Sequence, residues 1–294
     1  MDRILKGFIE LNKPLVEKNL KEHINEIAGP SILKQSMWYS LNAGGKRIRP
    51  LLLLAVLKVF DKKEGEGLPV ASVIEMLHTY SLIHDDLPCI DNDDLRRGEA
   101  ANHKVFGEAV ATLAGNALNT LCFGILARMQ HISDKNKIEL IDLLSKAAGV
   151  EGMIGGQILD IQAEGQQLTL SELENIHINK TGALLRFSVE AGAILADTTE
   201  EQRAALRAYA YHIGLAFQIK DDLLDINGTT ETLGKTAGKD LINDKTTYPA
   251  LLGLKDAEKK LQEHYTYAIE ALEQITMKDS LLHAFAKYIL DRNK

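Results

Sequence analysis

"HDDLPCIDNDDLRRG", residues 84–98, gathers five aspartates into ten positions and follows them with two arginines. Ahead of it, Val73, Leu77, Tyr80 and Ile83 recur at spacings of three and four, the period of a helix packed against others. Pro88 removes a backbone donor and biases Leu87 away from the α region, so this helix is expected to begin near Val70 and stop here. Asp85 and Asp86 then fall on its last turn, where the helix dipole disfavours anions and a cation is needed to compensate. Asp91, six residues past Asp85, can fold back toward the same cation. A solvated acidic loop is the plain alternative, since most charge runs are solvated. An EF-hand is excluded: counted from Asp91, Leu95 stands where a ligand belongs and Arg96 where the glycine belongs. Magnesium fits better, because it binds one or two carboxylates and completes its shell with water and phosphate. Arg96 and Arg97 then supply forks that match phosphate oxygens. The loop reads as a site for a metal–diphosphate complex.

"FQIKDDLLD", residues 217–225, repeats the theme inside a helix. Asp221 and Asp225 are four apart and share a face, with Gln218 three residues before them. Like charges at that spacing repel unless a cation bridges them. One such motif is weak, but two in one chain are hard to assign to chance. Candidate phosphate partners are scattered: Lys46, Arg47 and Arg49 in "GGKRIRP", Lys180 in "NKTGALL", Lys235 in "LGK" and Lys245 in "DKTTYP". Each alone is a surface residue by default. Metal ions and lysines around phosphorylated groups would serve to polarise and expel diphosphate.

The bulk properties agree with a soluble helical protein. The chain has 294 residues, 45% hydrophobic, with a net charge of −7, which leaves no basic excess for nucleic acid. Two cysteines, Cys89 and Cys122, are too few for a disulfide framework and fit a reduced, cytoplasmic setting. The first twenty residues lack an uninterrupted apolar core, so no signal peptide is expected. The longest apolar run, residues 51–59 broken by Lys58, is too short to span a bilayer. Thr169-Leu-Ser-Glu172 and Thr198-Thr-Glu-Glu201 read as capping boxes, and no alternating stretches with hairpin turns stand out. The expectation is one all-α domain over residues 1–294 with about ten or more helices in a bundle.

Taken in order, these motifs resemble the trans-isoprenyl diphosphate synthases, from GGKRIRP at 44 to TTYPALLG at 246–253. The family's DDxxxxD is matched by Asp85, Asp86 and Asp91, and its DDxxD by Asp221, Asp222 and Asp225. The resemblance implies an isoprenoid-synthase bundle around a central cavity, working as a homodimer. It also implies about three Mg²⁺ (Mn²⁺ being the alternative ion) held by the six aspartates. Arg96, Lys180, Lys235 and Lys245 would hold the allylic diphosphate, dimethylallyl or geranyl. Lys46, Arg49, His78 and Arg97 would hold isopentenyl diphosphate, and Thr181 and Gln218 would lie near the allylic cation. One departure is Asn92, where close relatives often continue the aspartate run.

Product length in this family is set just ahead of the first motif, here at Tyr80 and Ser81, and a tyrosine there implies a C15 farnesyl product, with C20 geranylgeranyl as the alternative. On an ideal helix Tyr80 is ~140° from Asp85, so it either faces a cavity wrapped by several helices or is simple core packing. Leu77 and Ile74 are further candidates for the same wall. Competing classes are a terpene cyclase, which needs no isopentenyl site, a non-catalytic subunit of the same fold, and a helical structural protein.

Overall fold

The computed structural model describes residues 2–227, 246–275, 277 and 280–292. Helix α1 (Arg3–Glu26) buries Leu5, Phe8, Asn12, Val16, Leu20 and Ile24, a stripe at three-and-four spacing. Asp2 caps it, its carboxylate accepting from the Ile4 and Leu5 amides at 2.7 and 3.3 Å. After α2 (Ser31–Asn42), α3 (Ile48–Val59) is buried at every position from Pro50 to Leu57. A helix apolar on all sides has no surface face and belongs in the interior. Each fully buried leucine of α3 contributes about 1.5–3 kcal/mol.

Helix α4 (Leu68–Asp85) is nearly as buried and organises the rest. It packs on α1, on α3, on α6 (Glu108–Arg128) and on α10 (Ala183–Leu195). Its end is where Pro88 required it. The Asp86 amide donates to the Leu82 carbonyl at 3.1 Å, and the chain then turns back, with the Asp91 amide donating to the Asp85 carbonyl at 2.8 Å.

The remaining described elements complete the bundle. They are α5 (Asn102–Phe106), α7 (Asp134–Ala148), α8 (Met153–Gln162), α9 (Leu170–His177), a π-helical turn (Ile178–Gly182) and α11 (Glu200–Asn227). Then follow α12 (Tyr248–Leu252), α13 (Leu254–Glu273) and α14 (Leu281–Asp291). Long α11 lies along α13 and α10, and α14 packs against α3, α11 and α13. By length and composition α6 is apolar enough to cross a membrane, as the core helices of many soluble proteins are.

Two expectations need correction. Leu95–Arg96 pairs with Glu99–Ala100 as a small antiparallel hairpin. Its turn residues Arg97 and Gly98 both have positive φ, 56° and 84°, as a primed two-residue turn requires. The Thr169–Glu172 capping box forms, but the second box is shifted by one: Thr199 pairs with Gln202. Thr198 instead donates its hydroxyl to the Ala193 carbonyl at 3.1 Å, an interior acceptor that outcompetes the cap.

Candidate active site

Two cavities meet at the end of α4, both lined by Asp85, Lys180 and Thr181. The first, about 240 Å³, is polar: Asp85, Asp91, Asp93, Arg96, Asp160, His177, Gln218 and Asp222 face it. The second, about 370 Å³, has Arg49 and His78 at its wall and is otherwise largely apolar, with Tyr80, Ile154, Ile158 and Leu184.

The π-turn explains why Lys180 and Thr181 reach both. Single π-helical turns inside helical runs often mark functional sites. This one is approached from two sides at backbone distance. A Cβ on Gly156 of α8 would lie 2.2 Å from the Lys180 amide nitrogen, and one on Gly214 of α11 would lie 3.2 Å from the Gly182 Cα. The first approach brings Asp160 to Lys180, whose Nζ it accepts at 2.7 Å. The second brings Gln218 to Thr181, whose hydroxyl donates to Gln218 Oε1 at 3.1 Å.

The first motif splits into two roles. Asp85 faces both cavities, and burial pushes its carboxyl up to about 6 despite the nearby Lys180. Asp86 turns inward, is buried, and pairs with Arg96, whose Nε donates to it at 2.9 Å. Arg96 also reaches Asp93 at 3.2 Å, so it is held by two carboxylates beside the polar cavity. Burial raises the Asp86 carboxyl, and the bond from Arg96 opposes that rise.

The second motif faces differently from its expected register. Asp222 lines the polar cavity, accepting from Gln218 Nε2 and from the Tyr248 amide, both at 3.0 Å. Gln218 and Asp222 are four apart and form the inner face of α11. Asp221 pairs with Arg292 at 2.7 Å, and Arg292 also donates to the Phe217 carbonyl at 2.7 Å and lies 4.0 Å over the Phe217 ring. The C-terminal segment therefore closes on the second motif. Asp225 sits one turn further along α11, partly buried.

The basic residues fall into two groups. Arg49 Nη1 lies 3.5 Å from His78 Nε2. Burial, reinforced by the surrounding arginines, pushes His78 well below its ordinary value, so its imidazole is neutral. Arg97 donates to the Gly44 carbonyl at 2.5 Å, next to exposed Lys46. Arg47 is buried and bonded to Glu75 at 2.5 Å and to the Leu41 carbonyl at 2.6 Å. Lys235 and Lys245 lie outside the described residues.

The two residues expected to set chain length, Tyr80 and Ser81, both line the apolar cavity. The cavity wraps the last two turns of α4, so Tyr80 and Ser81 line it together with Asp85. Tyr80 meets His84 edge-on at 5.0 Å, and His84 is anchored through Nε2 to the Thr112 carbonyl at 3.1 Å. Leu77 and Ile74 are not part of this wall; both are fully buried in the core.

The motif reading did not single out Asp160 and His177, which line the polar cavity, Gln157, which lines the apolar one, or Glu75, which meets Arg47 and Arg97. Of these, Glu75 is a single charge in a mainly apolar helical run; Gln157 and Asp160 share the run MIGGQILDIQ, and His177 lies in the polar stretch SELENIHINK, where nothing marks it out. Among the described residues no three metal-ligating side chains converge as a ready-made cage. The donors facing the polar cavity are mostly carboxylate oxygens, and Asp85 is a partly buried carboxyl whose desolvation a cation would relieve. Both features fit a hard ion that keeps positions for water and phosphate, as magnesium does.

This chain belongs to the polyprenyl synthetase family, whose profile matches residues 30–283. It is 48% identical over 297 residues to the farnesyl diphosphate synthase of Bacillus subtilis (strain 168), covering 100% of both chains. It is 49% identical over 288 residues to the farnesyl diphosphate synthase of Geobacillus stearothermophilus, covering 97% of each. Among solved structures it resembles a geranyltransferase from Helicobacter pylori complexed with magnesium and isoprenyl diphosphate. The TM-score is 0.85 at 34% identity, covering 99% of this chain and 97% of that one.

Proposed function

We propose that this protein is a short-chain trans-prenyltransferase. It joins isopentenyl diphosphate to dimethylallyl diphosphate and then to geranyl diphosphate, and stops at farnesyl diphosphate. The observation that carries this reading is the pair of cavities sharing Asp85, Lys180 and Thr181, one acidic and one apolar. A diphosphate head in the first can direct its hydrocarbon tail into the second.

Asp85, Asp91 and Asp222 would hold Mg²⁺, with Asp86, Asp221 and Asp225 completing the set of about three ions implied by family resemblance; Mn²⁺ is the alternative. When bound, the metal neutralises charge building on the departing diphosphate. Lys180, Arg96, Lys235 and Lys245 would bind that diphosphate, while Lys46, Arg49, His78 and Arg97 take isopentenyl diphosphate. The allylic C–O bond breaks with its electron pair leaving on diphosphate. The isopentenyl double bond then forms the new C–C bond at C1, and a diphosphate oxygen takes the released proton. Thr181 and Gln218 present neutral oxygens to the cation, and the apolar walls exclude water that would quench it. Tyr80 and His84 form the floor that ends growth.

The chain would work as one domain, in the cytoplasm, and as a homodimer. Support for the dimer is the apolar helix α6, of which 39% of the most apolar window is buried and whose Leu113 is 58% exposed. A thermal-shift titration with inorganic pyrophosphate tests the site. Pyrophosphate should raise the melting temperature only with Mg²⁺ present, and Asp85→Asn should remove that gain. A gain independent of metal, or none at all, sinks the proposal.

A further inference from the structure

The isopentenyl diphosphate residues proposed above come from three separate segments: residues 46–49 at the start of α3, α4 and the hairpin turn at 97. One buried carboxylate joins all three. Glu75 lies on α4, 2% exposed, and is the one charged residue in the run "VASVIEML", residues 70–77. Arg47 Nη1 donates to it at 2.5 Å and Arg97 Nη2 approaches the same oxygen at 3.5 Å. Both arginines have left-handed backbones, with φ of 55° and 56°, a conformation that side chains with a Cβ avoid. Two strained positions from distant parts of the chain therefore converge on one anion. Arg97 is further hemmed in by Gly45, where a Cβ would lie 2.9 Å from its guanidinium carbon.

We propose that Glu75 is a positioning residue for isopentenyl diphosphate: it holds Arg97, and through Arg47 both Lys46 and the first turn of α3 with Arg49, in the geometry that receives the diphosphate. Glu75 is ten residues before Asp85, about 15 Å along the helix, too far to act on the allylic site directly. Its charge also offsets the crowding of arginines around His78. Burial lowers the Arg97 guanidinium, and Glu75 is the largest influence opposing that. This role rests on the isopentenyl site assigned above.

The test is steady-state kinetics of Glu75→Gln and Glu75→Asp, with Arg97→Gln and the double variant Glu75→Gln/Arg97→Gln. Loss of one charge-assisted contact should raise KM for isopentenyl diphosphate about tenfold in Glu75→Gln. KM for geranyl diphosphate should stay within about twofold, because the allylic site is untouched. The double variant should exceed Arg97→Gln in KM by less than the full Glu75→Gln factor, because only the Arg47 contact is left to lose. Glu75→Asp keeps the charge on a shorter stem and should raise the same KM by a smaller factor, so it carries the test if Glu75→Gln does not fold. Isopentenyl diphosphate binding by calorimetry should weaken in parallel. If folded Glu75→Gln or Glu75→Asp leaves that KM unchanged, shifts both KM values equally, or adds fully to Arg97→Gln, the inference is overturned. Should Arg97→Gln itself leave KM for isopentenyl diphosphate unchanged, the site assignment fails first, and Glu75 has nothing to position.

Discussion

Asp85→Asn should abolish elongation and yet make the metal-free protein more stable. Burial raises the Asp85 carboxyl from 3.8 to about 6. A group that binds its proton more tightly in the folded state favours folding at low pH and loses that contribution as pH rises from the unfolded to the folded value. Above pH 7 the ionised carboxylate therefore opposes folding, by a gap of about 2.2 pH units, or about 3 kcal/mol at 1.36 kcal/mol per unit. Partial exposure of the side chain makes this an upper bound. With an unfolding entropy of about 2.1 cal/mol/K per residue over the whole chain, 3 kcal/mol corresponds to a rise of ~5 °C in Tm. The assay is differential scanning fluorimetry of wild type and Asp85→Asn in EDTA at pH 7.5 and 4.5. The advantage of the variant should shrink to about 1 kcal/mol at pH 4.5, where the folded carboxyl is already protonated. With Mg²⁺ and pyrophosphate the order should reverse, since only wild type gains binding energy. A variant that is less stable in EDTA at pH 7.5, or whose advantage does not change with pH, refutes the reasoning.

Three further outcomes follow from the same geometry. Tyr80→Ala should remove the floor of the apolar cavity and move the main product from C15 to C20, read by mass spectrometry; an unchanged product would exonerate Tyr80. Asp160→Asn should free Lys180 from its 2.7 Å partner and raise KM for geranyl diphosphate about tenfold, more than KM for isopentenyl diphosphate. Equal effects on both would show that Asp160 does not act through Lys180. Leu113→Asp should convert a dimer to monomer in light scattering, and a persisting dimer would place the interface elsewhere.

Much of this was legible in the chain because it depends on local chemistry. Pro88 had to end α4, and with that the two carboxylates and the return of Asp91 were fixed by backbone rules. The paired acidic motifs stood out because like charges concentrated in sequence need a common cause. Other features depend on who meets whom in three dimensions. Asp222 rather than Asp221 faces the polar cavity because partners distant in sequence divide the pair: the Tyr248 amide, alongside Gln218, holds Asp222, while Arg292 takes Asp221. Glu75 and Asp160 are single carboxylates in apolar runs, and nothing local says whether such a residue is solvated or buried against an arginine. The Arg97–Gly98 turn was hidden because its flanking strands are two residues each, too short to show alternation. Thr198 and Thr199 are equally good caps by pattern, and an interior carbonyl decided between them.

The most direct test of the central claim is product analysis. Purified protein would receive isopentenyl diphosphate and geranyl diphosphate, with Mg²⁺ or with EDTA, and the products would be identified by mass spectrometry. Farnesyl diphosphate as the end product, formed only with the metal, is the predicted result. A C20 end product would contradict the Tyr80 floor, and no elongation by folded protein would contradict the enzymatic reading altogether.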